Sequence, residues 1–149
     1  VQRLKNEETR MKSSIRKTAG LTAVAALFSL GIGMAHAAQV TLSGAEEVPA
    51  VQSAGKGTGT ITVKDDMTVS GSITTTGIKG TMAHIHEGAA GKNGGVAVPL
   101  EKKSDGEWAV PAGAKLTDAQ YKAYKAGDLY VNVHTEEHKG GEIRGQLKP

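Results

Sequence analysis

The chain has 149 residues, no cysteine, 3% aromatic residues, and 18 Lys and Arg against 15 Asp and Glu. Without cysteine there is no disulfide and no thiolate ligand, so a bound metal must be held by nitrogen and oxygen atoms. Six basic but only two acidic residues precede Ala38, leaving twelve basic and thirteen acidic side chains in the other 112 residues, so the excess positive charge that would support a nucleic-acid partner is confined to the N-terminal segment.

That segment reads as an export signal with its helix over residues 1–37. Lys12, Arg16 and Lys17 make a basic start, residues 19–34 an apolar stretch, and Ala35-His36-Ala37 an A-x-A cleavage site that would leave Ala38 as the new N-terminus. The apolar stretch is shorter than the roughly 20 residues of a membrane span, so no span is expected once the signal is removed. Residues 1–10 precede Met11, which has the look of an initiator, so they read as a misassigned start. The expected location is periplasmic or secreted, and the expected domain is 38–149, a size suited to one hydrophobic core.

From residue 39 to 78 apolar residues alternate with small polar ones, many of them Thr and Val, the period of half-buried strands. Strands are expected at 39–43, 57–64 and 68–76, the last two joined as a hairpin through Asp65-Asp66. Further strands are expected at 81–86, 96–101 and 108–110, with the glycine-rich residues 88–95 as a loop because they offer nothing to bury. Thr117 followed by Gln120 makes a capping box and Gly127 a stop, which predicts one short helix with a solvated, lysine-rich face. Strands at 128–135 and 142–147, turning at Lys139-Gly140-Gly141, close the chain. Seven or eight short strands with one helix predict an all-β fold, a Greek-key β-sandwich whose core is mainly Val, Ile and Leu.

The four histidines after Ala38 fall in two places: His84 and His86, and His134 and His138. Residues i and i+2 of a strand share a face, so His84 and His86 present two imidazoles side by side while Ile85 packs inward. In the later strand Val131 and Val133 take one face and Tyr130, Asn132 and His134 the other. If the strands are neighbours, three imidazoles converge into a site for copper, zinc or nickel, with copper the best fit to nitrogen-only ligands and zinc the alternative. His138, in a polar turn, is the weakest candidate ligand. Glu87 is a candidate oxygen donor or ring-orienting group, and more simply a solvated turn residue. The competing reading is that the histidines only hydrogen-bond loop backbone.

Arg144 is the one arginine among eleven lysines after Ala38. Its planar fork suits a structural clamp on loop carbonyls or a carboxylate, with Glu142 as a partner, and the alternative is a substrate contact. Residues 88–95 lack the strand-loop-helix setting and the Lys-Ser/Thr pair of a phosphate cradle, and no Ser-His-Asp or Cys-His arrangement is visible.

Ala83-His-Ile-His-Glu-Gly88, Gly127-Asp-Leu-Tyr-Val-Asn-Val-His-Thr135 and Gly140-Gly-Glu-Ile-Arg-Gly-Gln-Leu147 resemble the CHRD domain family, over nearly all of the chain beyond the signal. The resemblance implies a single extracytoplasmic β-sandwich of the kind exported by bacteria, and no particular activity. A fainter similarity, H-x-H on one strand and a distant His on another, is to copper/zinc superoxide dismutases. This chain departs from them in lacking the cysteine pair and the zinc subsite. The reading is a non-enzymatic exported binding domain holding a metal ion, copper favoured. The alternatives are a structural or adhesive domain with an envelope protein partner, and a dismutase-like redox enzyme.

Overall fold

The computed structural model describes residues 35–149. Most of the expected signal segment lies outside them, and its last three residues, Ala35 to Ala37, open the first strand. Among the described residues nine strands form: β1 (Ala35–Ser43), β2 (Lys56–Lys64), β3 (Val69–Thr76), β4 (Met82–Glu87), β5 (Val96–Pro99), β6 (Glu101–Ser104), β7 (Glu107–Ala109), β8 (Leu129–His134) and β9 (Ile143–Leu147), with helix α1 at Asp118–Ala126. Every pairing is antiparallel, in the order β5-β4-β8-β9-β1-β2-β3-β7-β6.

The two edge strands of this order are consecutive in the chain, separated by Leu100 alone. The sheet therefore curls around its core until its edges are two halves of one extended segment, which makes the sandwich a nearly closed barrel. Leu100 donates its N–H to the Ala83 carbonyl at 2.9 Å, still on the β4 side. One residue later the chain pairs with β7. This change of partner divides the single strand expected at 96–101 and extends it as β6, whose Lys102 and Lys103 suit an exposed edge. The connections from β3 to β4 and from β7 to β8 cross between the two halves, as in Greek-key sandwiches.

Alternation decides which side chains face inward. Ala38, Val40 and Leu42 of β1, Ile61 and Val63 of β2, Ala83 and Ile85 of β4, Leu129, Val131 and Val133 of β8, and Ile143 and Leu147 of β9 form one buried cluster with Trp108 and Tyr124. Fully burying each Val, Leu or Ile contributes about 1.5–3 kcal/mol. The β1–β9 seam is narrow, registered at Ser43 and Arg144. It needs Gly145, where a Cβ would lie 2.3 Å from the Thr41 carbonyl oxygen.

Helix α1 follows its sequence signals. Thr117 Oγ1 accepts from the Gln120 amide at 3.2 Å, Gln120 Oε1 accepts from the Thr117 amide at 2.9 Å, and Gly127 adopts φ +81°. Tyr124 is buried in the core and its hydroxyl donates to the His36 carbonyl at 3.1 Å, tying the helix to β1. Thr117→Ala removes the cap and is expected to cost about 1 kcal/mol, read as a lowered thermal midpoint of the purified protein. No helix among the described residues is long and apolar enough to cross a membrane.

Candidate metal centre

Strands β4, β8 and β9 lie side by side, and their register assembles the outward face. His84 pairs with Asn132 and Asn132 with Arg144, while His86 pairs with Tyr130 and Tyr130 with Gln146. A polar outward face would ordinarily be solvated, yet every residue of β8 is buried. Residues 88–95 fold back over it. The Gly94 amide donates to Tyr130 Oη at 3.1 Å, and Gln146 Nε2 donates to the Gly88 carbonyl at 2.9 Å. Arg144 donates to the carbonyls of Ala89 (3.2 Å) and Lys92 (2.8 Å) and to Asn93 Oδ1 (3.2 Å), with its guanidinium 3.5 Å from the Tyr130 ring centroid. The arginine is the clamp on loop carbonyls that the sequence predicts.

His84, His86 and His134 converge at the end of this face. One nitrogen from each lies within 4.8 Å of the others, and His84 Nδ1 is 3.0 Å from His134 Nε2. Two rings are oriented from behind. His134 Nδ1 donates to the Lys139 carbonyl and His86 Nδ1 to the Gly94 carbonyl, each at 3.0 Å. A carbonyl cannot donate, so these contacts place the proton on Nδ1 and leave Nε2 of both rings with a free lone pair. For His134 that lone pair meets His84. For His86 it meets nothing: Nε2 is buried without a hydrogen-bond partner, a costly state for a polar atom unless it has another use. The His86 ring is also stacked on Tyr130, centroids 5.0 Å apart. Nitrogens bound at about 2.0–2.1 Å around one ion stand about 3.3–3.5 Å apart, so the cluster reaches ligating geometry through ring movements on the order of 1 Å. Nδ1–H held by a carbonyl with Nε2 presented is the outer support that metal-ligating histidines ordinarily have. Three histidines thus stand where they can hold a metal ion.

All three rings are harder to protonate than an ordinary histidine of pKa 6.5. Burial is the main cause for each. For His84 the neighbouring His134 and His86 add to it. For His86 the Gly94 carbonyl opposes it while His134 and Arg144 add to it, and for His134 the Lys139 carbonyl opposes it. The neutral, ligating form therefore persists below pH 6.5. As pH falls through 6.5 the unfolded chain takes up protons that the folded one does not, so stability declines from there down to the lowered folded values. Glu47 acts in the opposite sense at lower pH, because burial raises its pKa above 4.5 and its protonation relieves a cost. The thermal midpoint, measured with chelator present, is expected to fall between about pH 7.5 and about pH 5.5, and replacing the three histidines with glutamine is expected to flatten that fall.

A sequence model of the CHRD domain matches residues 38–147. The chain belongs to the CHRD domain family. Neither curated proteins nor solved structures gave a match. The match in this CHRD domain begins at Ala38, the residue expected to follow the signal.

The remaining candidates of the CHRD domain lie elsewhere. His138 is outside the three-histidine cluster; it lines an open cleft with Ile78, Lys79, Glu137 and Glu142. Glu87, an odd-numbered residue of β4, alternates with His84 and His86 and is exposed at the strand end, in keeping with a solvated turn residue. Glu142 does not pair with Arg144: it accepts from Ser53 Oγ at 2.7 Å and Thr135 Oγ1 at 2.6 Å. The carboxylate that feels Arg144 is Glu47, buried and bonded to Asn132 Nδ2 at 3.0 and 3.1 Å. Gly141 lets this pair form. At φ +130° a Cβ there would sit 2.5 Å from Asn132 Oδ1 and 2.7 Å from Glu47 Oε1.

Proposed function

We propose that this CHRD domain is an exported, non-enzymatic binding module that holds a transition-metal ion, copper in preference to zinc, through the Nε2 atoms of His86 and His134 and through His84 Nδ1, whose proton, shared with His134 in the metal-free cluster, moves to Nε2 on binding. The observation that carries the reading is the buried, unpartnered Nε2 of His86, on a ring with a nitrogen within 4.8 Å of one on each of His84 and His134. Copper is favoured because the donor set is imidazole without thiolate, and divalent affinity for such a set is greatest at copper. Export is supported by the basic start, apolar stretch and A-x-A site, and by the family match from Ala38. Cleavage after Ala37 would remove three exposed residues of β1, with the His36 carbonyl that accepts from the Tyr124 hydroxyl, and keep Ala38, Val40 and Leu42, which face the core.

Isothermal titration of the purified protein with Cu(II) and Zn(II) tests the metal. Micromolar or tighter binding that is lost in His84→Ala is expected, with no superoxide consumption above that of free copper. Absence of heat above the buffer blank would leave the histidines a structural role and overturn the reading. N-terminal sequencing of protein recovered outside the cytoplasm tests export, with Ala38 the expected first residue.

A further inference from the structure

Strand β4 carries one more side chain on the face of the histidines. Alternation places Met82 with His84 and His86, opposite the inward Ala83 and Ile85. In the β4–β8 register Met82 is the direct partner of His134, and such partners have Cβ atoms about 4.5–5.5 Å apart. Met82 is 51% exposed, one of two large hydrophobic residues left exposed among the described residues, whereas Met67 packs against the core. Core packing therefore gives no reason for a methionine at this position.

We infer that Met82 is a fourth donor of the histidine centre and that its thioether lets the site take copper(I) as well as a divalent ion. This rests on the metal-binding reading above. The methionine side chain has three rotatable bonds, enough for its sulfur to swing toward the ring nitrogens of the facing residue. A thioether is a soft, neutral donor that favours copper(I) and adds little for zinc(II). Three imidazoles and one thioether complete four donors with no net ligand charge. His138, beyond the end of β8, is the rival for the fourth position.

The test measures copper(I) affinity anaerobically by competition with a chromophoric copper(I) chelator, alongside Zn(II) titration, for the wild type, Met82→Leu and His138→Ala. Leucine nearly conserves volume at a half-exposed position, so the fold is retained, and circular dichroism checks it. Met82→Leu is expected to weaken copper(I) binding at least tenfold while changing zinc binding less than twofold, and His138→Ala to leave both within twofold. In selenomethionine-substituted protein loaded with copper(I), a copper–selenium path is expected in the selenium-edge absorption spectrum. Unchanged copper(I) affinity in Met82→Leu, loss only in His138→Ala, or no copper–selenium path overturns the assignment of Met82 while histidine-dependent binding stands. A wild type that binds neither metal overturns the metal centre itself, and Met82 with it.

Discussion

Arg144→Ala is expected to lower the stability of the protein by about 3–5 kcal/mol, a large share of the roughly 5–15 kcal/mol that holds a domain folded. Arg144 is 1% exposed. Its guanidinium donates to two loop carbonyls and to the side-chain oxygens of Asn93 and Gln146, and it lies over Tyr130. Truncation takes the donor from these part-buried acceptors, leaves the buried Glu47 without the cation it feels, and opens a cavity against the ring. Arg144→Lys is expected to recover less than half of the loss, because an ammonium cannot reach several acceptors in one plane. Urea denaturation at neutral pH measures both, and an alanine variant within about 1 kcal/mol of the wild type would contradict the clamp. The effect should reach the histidines, since the strapped loop supplies the Gly94 carbonyl that orients His86.

The other large effect is on metal affinity. His134→Ala is expected to weaken Cu(II) binding at least a thousandfold, about 4 kcal/mol. His134 is the most buried ring of the cluster at 7% exposure, and its Nε2 already lies 3.0 Å from His84 Nδ1. Without it, His84 and His86 remain as a bidentate pair on a single strand. The variant also leaves the Lys139 carbonyl without its donor, a stability cost of about 1 kcal/mol that would not unfold the protein. Titration calorimetry with chemical denaturation on the same sample separates the two effects. Retained affinity in a folded His134→Ala variant would remove this ring from the centre.

Much of this arrangement is legible in the sequence, because the features concerned are local and periodic. Period-2 alternation shows that Ile85 points inward and its flanking histidines outward, and that Tyr130, Asn132 and His134 share a face. The capping box at Thr117 and Gln120 is a short-range hydrogen-bond pattern and appears as read. Arg144 stands out against the lysines, and its preference for planar acceptors foretells the loop clamp. What escapes the sequence depends on distant partners or on the backbone. Glu47 and Asn132 are 85 residues apart, and only closure of β1 against β9 makes them neighbours. The carbonyls of Gly94 and Lys139 orient the rings, but every residue carries a carbonyl, so side chains give no sign of which will do so. Proximity misleads for Glu142, two residues from Arg144, because hydroxyls of Ser53 and Thr135 engage it instead. Strand β6 shows no alternation, since all four of its residues are exposed.

The pairing of β4 with β8 joins segments about fifty positions apart, with β5, β6, β7 and α1 lying between them in the chain. No local hairpin can assemble the three imidazoles, so an unfolded polypeptide offers an ion only the weak His84–His86 pair. Contacts this remote form slowly, after the intervening chain has found its place. An ion that prefers the complete triad therefore acts on the folding equilibrium of the whole domain, raising its unfolding temperature with ion concentration. A strong chelator would then loosen the far end of the barrel as much as the strands that carry the histidines.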